Sequence, residues 1–166
     1  MKSQTQAGFT LVELIVVIVI LGILAAVAVP RFMGLETEAR IAAVKSMGGT
    51  LKSAANMAHG VCMAQACANG GAGIVIEGKN IVFAGGYPNA ASIGLLIQST
   101  EGFTQNAGGN RFTKAGARTT NCWVQYNNAA VVNGVVQPPT IWYQGNVEIT
   151  NAASEKVVND NLRAQC

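Results

Sequence analysis

The polar and apolar positions divide the chain into three stretches. From Phe9 to Val29 every side chain is apolar or small except Thr10 and Glu13, with Gly22 the one break. About twenty such residues make a helix long enough to cross a bilayer's hydrocarbon core. Pro30 follows, and proline inside a helix removes one backbone hydrogen bond. Apolar residues then recur every three or four positions: Phe32, Leu35, Ala39, Ile41, Val44, Gly48, Leu51, Ala55 and Ala58. This spacing predicts an amphipathic continuation of the helix, ending near His59-Gly60, with one face that needs a partner. A helix over residues 9–58 would measure roughly 75 Å at 1.5 Å per residue.

Beyond residue 60 the period falls to two and turn residues recur. Residues 73–77 and 80–84 read as strands about Gly78-Lys79, in the type II′ pattern. Asn89 caps a short helix to Gln98, although Ile93, Leu95, Leu96 and Ile97 also suit a strand. Residues 99–121 read as a polar loop. Strands are predicted over 122–126, over 130–136 around Asn133-Gly134, over 140–143 and over 146–150, before a helical turn or two at 154–163. Strands clustered after one long helix predict an α+β fold with an antiparallel sheet against the helix. Trp123, Tyr126, Trp142 and Tyr143 are expected to fill its core.

The 166 residues include 11% charged, far below the roughly 25% usual for soluble chains. The formal charge of +3 is too weak to imply a nucleic acid partner. Asp160 is the sole aspartate and His59 the sole histidine. No acid–base or nucleophile constellation appears, so no enzyme activity, cofactor or metal is expected. His59, Cys62 and Cys67 have some metal-ligand character but lack a second pair nearby. Arg111, Lys114 and Arg118 flank Phe112 in the predicted loop, where nucleic-acid contact competes with the more ordinary solvated surface. Four cysteines allow three disulfide connectivities.

Glu13 inside the apolar run is expensive in lipid and asks for a function and a partner. With Gly8-Phe9-Thr10-Leu11 before it and Leu14-Ile15-Val16-Val17-Ile18 after it, it resembles the class III signal of type IV pilins. Gly85-Gly86-Tyr87-Pro88-Asn89-Ala90-Ala91-Ser92-Ile93-Gly94 is similar to a segment of the mannose-sensitive haemagglutinin pilin subgroup.

The resemblance implies a pilin fold and a prepilin cleaved by a prepilin peptidase between Gly8 and Phe9, with N-methylation of Phe9. It divides the chain into a leader (1–8), a transmembrane and polymerising half-helix (9–30), an amphipathic half-helix (31–60) and a globular head (61–166). It implies single-pass insertion in the inner membrane, handling by an assembly platform, and export into a homopolymeric fibre used for adhesion, aggregation or surface motility. Glu13 would pair with the Phe9 amine of a neighbouring copy, against a simpler reading in which it reaches the headgroups. Gly22 and Pro30 would lower the cost of unwinding on packing. Cys62–Cys67 and Cys122–Cys166 is the expected pairing, the second resembling the family's C-terminal disulfide-bounded region. A type II secretion pseudopilin, a tethered sugar- or DNA-binding module, an ordinary signal peptide cut after Ala26-Val27-Ala28 and a plain signal anchor are the competing readings.

Overall fold

The computed structural model describes residues 9–67 and 73–166. The connection read at Asn69-Gly70-Gly71-Ala72 lies outside the described residues, as do Gly8 and the rest of the leader. Two compact units are present, the first ending at Thr37 and the second formed by Glu38–Cys166. Helix α1, Leu11–Ala64, is continuous through Gly22 and Pro30.

The start of α1 is a reciprocal cap. The Glu13 carboxylate accepts from the Thr10 backbone N–H at 2.9 Å and from its hydroxyl at 2.8 Å, while the Thr10 hydroxyl oxygen accepts from Glu13 N–H at 3.3 Å. Thr10-Leu11-Val12-Glu13 is thus a capping box, so Glu13 has a local partner within its own chain. At the other end, α1 runs beyond the expected stop at His59-Gly60, because Gly60 keeps helical geometry. The stop is made by Ala66 in the left-handed region (φ 48°) and by Cys67 N–H donating to the Cys62 carbonyl at 3.0 Å. That is the Schellman pattern, and here the accompanying side-chain contact is covalent: Cys62 and Cys67 form a disulfide.

In the second unit, strand β1 (Ile74–Ile76) pairs with β2 (Lys79–Ile81), and β3 (Phe83–Ala84) pairs with β4 (Tyr87–Pro88). The β1–β2 turn is Glu77-Gly78, one residue earlier than expected. Both residues have positive φ (47° and 77°), so the turn is of type I′ and not type II′. Helix α2 (Ala90–Ile93) is capped by the Asn89 side chain, which accepts from Ser92 N–H, and continues as a 3-10 turn over Gly94–Leu96. Of the two readings of this stretch, helix prevails.

The residues read as a loop contain β5 (Phe103–Gln105) and β6 (Arg111–Lys114). With β7 (Trp123–Asn127), β10 (Thr140–Tyr143) and β11 (Val147–Glu148) they make one antiparallel sheet in the order β11-β10-β7-β6-β5. Their polar composition hid them: Thr104, Thr113 and Arg111 belong to the sheet's outer face, where no apolar alternation is required. Strands β8 (Ala130–Val132) and β9 (Val135–Gln137) form a separate hairpin on Asn133-Gly134. Helix α3 (Ala152–Gln165) is longer than the predicted turn or two; Asn151 caps it in a reciprocal box with Ser154.

The core lies between the second half of α1, α3 and the sheet. Ile41, Val44, Leu51 and Ala55 meet Phe112, Val124, Tyr126, Ile141 and Tyr143 from the sheet and Val158 and Leu162 from α3. Only the later part of the predicted stripe is covered, since Phe32 and Leu35 remain 65% and 61% exposed. The period-two alternation also separates the aromatics. Tyr126 and Tyr143 enter the core between sheet and helices; Trp123, on the other face, is also buried, at 6% exposure beneath Arg111, and only Trp142, at 36%, is exposed.

Candidate functional site

The first half of α1 is apolar all round and exposed among the described residues. Phe9 is 89% exposed and every large residue from Leu11 to Val29 is about half exposed or more. It is the one helix among the described residues long and apolar enough to cross a membrane, with a mean hydropathy of 3.1 over an 18-residue window. Glu13 is its only charge, and the chain itself supplies two hydrogen bonds to that carboxylate. Those bonds lessen the cost of taking the carboxylate out of water, which an unpartnered ion would bear in full. A Cβ at Gly22 would meet open space, so no close packing within the chain requires glycine there. At Pro30 the helix lacks the N–H that would bond the Ala26 carbonyl. Pro30 therefore leaves one gap in the helical ladder and Gly22 lowers helix propensity, although the helix stays intact through both.

The cysteines pair as Cys62–Cys67 and Cys122–Cys166. The second bond ties the end of α3 to the start of β7. Around it, Arg40 donates to the Cys166 carbonyl at 2.8 Å, Arg163 pairs with Glu38 at 2.7 Å, and Lys45 pairs with Glu155. These contacts hold α3 against α1. The Arg163 guanidinium is held above its usual range, chiefly by the hydrogen bond to Glu38.

The three basic residues are not together in a loop. Arg111 and Lys114 lie at the two ends of β6. Arg111 stacks on Trp123, 4.3 Å from the ring centroid, and donates to Gln125 at 2.7 Å. Lys114 lies 5.2 Å from the Phe103 ring centroid and donates to the Gly102 carbonyl at 2.9 Å. Arg118 is exposed in the following turn. The sheet uses the first two cations to cover its own aromatics. His59 likewise has a structural setting: Nδ1–H donates to the Gly86 carbonyl at 2.7 Å and the ring stacks on Tyr87 at 4.0 Å. Among the described residues, no three His, Cys, Asp or Glu side chains gather as a metal site would require.

What the fold and this segment define together is an α+β chain whose first helix has an exposed apolar half with one capped carboxylate. Residues 3–29 match the family model described as the prokaryotic N-terminal methylation motif. The chain is 53% identical over 47 residues to the type IV narrow pilus major component of Thermus thermophilus, covering 28% of this chain and 40% of that protein. It is 49% identical over 57 residues to the type II secretion system core protein G of Klebsiella michiganensis, 34% of this chain and 40% of that one. A fimbrial protein of Pseudomonas aeruginosa is 34% identical over 79 residues, 48% of this chain and 41% of that one. The chain thus spans about two fifths of the length of these relatives. No solved structure matches it. The chain carries the methylation motif, and its likeness is to type IV pilins and fimbrial proteins, with a secretion-system core protein beside them.

Proposed function

We propose that this chain is the structural subunit of a type IV pilus. The observation that carries the reading is the first half of α1, apolar on every side and exposed among the described residues. In water such a surface is unfavourable by about 25 cal/mol for each Å². Two environments relieve it, a bilayer and the same segment of other copies, and a pilin occupies them in turn. In this reading a prepilin peptidase removes residues 1–8, Phe9 is N-methylated, and residues 9–30 hold the protein in the inner membrane until an assembly platform extracts it. Residues 31–60 and 61–166 then form the subunit body of a homopolymer at the cell surface, serving adhesion, aggregation or motility. The subunit is not an enzyme and needs no cofactor. Arg111 and Lys114 are engaged within the sheet, which leaves Arg118 alone of the three basic residues and speaks against nucleic-acid contact through them.

Glu13 has two tasks here. It caps its own helix, and in the fibre its charge pairs with the Phe9 amine of a neighbouring copy. An ion pair of this kind selects register more than it adds stability. The tasks separate by substitution. Gln at N3 still serves a capping box, so Glu13→Gln keeps the cap and removes the charge; Thr10→Ala does the reverse. Glu13→Gln is expected to be processed normally and to lower the yield of sheared fibres at least tenfold, whereas Thr10→Ala assembles. Equal yields from the two would reject the charge role.

Mass spectrometry of sheared surface fibres tests the whole reading. An N-methylphenylalanine at Phe9 supports it; a mature chain beginning elsewhere, or no polymer, rejects it. Similarity to the type II secretion core protein favours a second reading, a pseudopilus subunit. Deletion that abolishes secretion of exoproteins while leaving surface fibres unchanged would select that one.

A further inference from the structure

The two disulfides have different surroundings. Cys122 and Cys166 are fully buried in the main core, where the Cys166 carbonyl also accepts from Arg40. A reagent reaches their sulfurs only when α3 moves out of that core. Cys62 and Cys67 lie at the end of α1, on the wall of an open cleft of about 520 Å³ that His59, Met63, Gly86 and Tyr87 also line. Cys62 is buried in the smaller core cluster with Ala58, Ile81 and Phe83, and half-buried Cys67 packs against that cluster. Met63, Ala64, Gln65 and Ala66, between the two cysteines, are all exposed. The last turn of α1 therefore buries no side chain between its two sulfur anchors.

We propose that Cys62–Cys67 is a redox-sensitive latch on the last turn of α1, opened by a dithiol oxidoreductase while Cys122–Cys166 stays closed. Access governs the rate of thiol–disulfide exchange, and Cys67 is the less buried sulfur of the pair. A thiolate of the partner attacks the Cys67 sulfur, the Cys62–Cys67 bond breaks, and Cys62 leaves as a thiolate. The partner's second thiol then displaces Cys67 from the mixed disulfide. Cys62 and Cys67 end as two thiols, carrying the two protons the partner gave up, and the partner ends as a disulfide. Two electrons pass from the partner to this pair.

The backbone gives the latch something to release. Ala66 sits at φ 48°, where the Cβ of an L-residue crowds the following carbonyl oxygen. That conformation goes with the cap bond from Cys67 N–H to the Cys62 carbonyl, and the disulfide joins the same two residues. With the sulfurs apart, the exposed turn is left with backbone hydrogen bonds to oppose an unfavourable backbone, and it opens from Met63 to Cys67. Farther back the helix is held. His59 Nδ1–H donates to the Gly86 carbonyl, its ring stacks on Tyr87, and Ala58 and Cys62 stay packed. Opening is therefore local, as in other segments with few buried contacts, and it frees Cys67, from which the chain leads on to β1.

The test uses the full chain in detergent micelles, with dithiothreitol as the dithiol and free thiols alkylated and located by mass spectrometry. Cys62 and Cys67 are expected to be labelled at a dose at least tenfold below the one that labels Cys122 and Cys166. Amide exchange over residues 63–67 is expected to rise at least tenfold on that selective reduction, with β7 and β10 unchanged. The double variant Cys62→Ser with Cys67→Ser is expected to show the same raised exchange without any reductant. Ala66→Gly relieves the left-handed residue, so it is expected to hold the turn closed without the disulfide and to cut the rise at least threefold. Labelling of all four cysteines at one dose overturns the latch. Unchanged exchange over 63–67 in the selectively reduced chain, or an equal rise in Ala66→Gly, overturns it as well.

Discussion

Gly48 shows how a single residue changes meaning between sequence and structure. In the helical pattern it is a flaw, unfavourable by about 1 kcal/mol against alanine. In the fold it is where Tyr143 lies against α1: an added Cβ would overlap the tyrosine hydroxyl and come within 3.3 Å of Ile141. Overpacking of this kind destabilises by about 1–3 kcal/mol, more than the propensity gained. Gly48→Ala is therefore expected to lower the melting temperature, and Tyr143→Phe in the same chain, which removes the overlapping oxygen, to recover part of the loss. Thermal unfolding followed by circular dichroism would check both; a melting temperature raised by Gly48→Ala alone would refute the account. Glu13 teaches the reverse. Its unusual position was plain from the apolar run around it, but Thr10, its capping partner, was legible three residues away and was overshadowed by that same run. Arg111 was misplaced because nothing in a linear sequence reveals that Trp123, twelve residues on, comes to lie under it.

At the scale of elements, α3 depends on contacts from distant parts of the chain. Its own residues are mostly polar, and its core contribution is Val158, Leu162 and Cys166. The disulfide to Cys122 closes a separation of 44 residues, for which loop-closure reasoning gives about 4 kcal/mol. Replacing both Cys122 and Cys166 by alanine is expected to lower unfolding stability by several kcal/mol and to fray α3 first. Faster amide exchange over residues 152–165 than over the β7 and β10 strands would register this; uniform exchange would not fit. Elements whose signal is local were legible: the apolar half of α1, the Asn133-Gly134 hairpin, β7 and β10. Strands β5 and β6 were not, because they expose one face to water and their burial comes from Phe112 and a neighbouring strand. The end of α1 was misread because the decisive residue is an alanine in the left-handed region, held there by a disulfide and not by glycine's freedom.

At the scale of the molecule, buried tyrosines set a limit on alkaline stability. The Tyr126 hydroxyl donates to the Pro88 carbonyl at 2.7 Å within the core. Burial, with a smaller contribution from Tyr87, raises its ionisation far above the ordinary tyrosine value near 10. Burial and the Glu155 charge raise that of Tyr143. In both cases the folded state keeps a proton that the unfolded state releases, so the stability they confer is full below about pH 10 and is lost as pH rises further. The unfolding midpoint in denaturant is expected to fall above pH 10 and to fall less in Tyr126→Phe. A flat midpoint to pH 11.5 would contradict this. The sequence alone determined that the chain has an apolar helix half with one acid near its start, because hydrophobic run length is a property of neighbouring residues. It also determined the α+β class, through the change of period after residue 60. Tertiary structure decided which face each aromatic takes and where the basic residues go. Those outcomes depend on pairings between residues far apart in the chain, which no local pattern encodes.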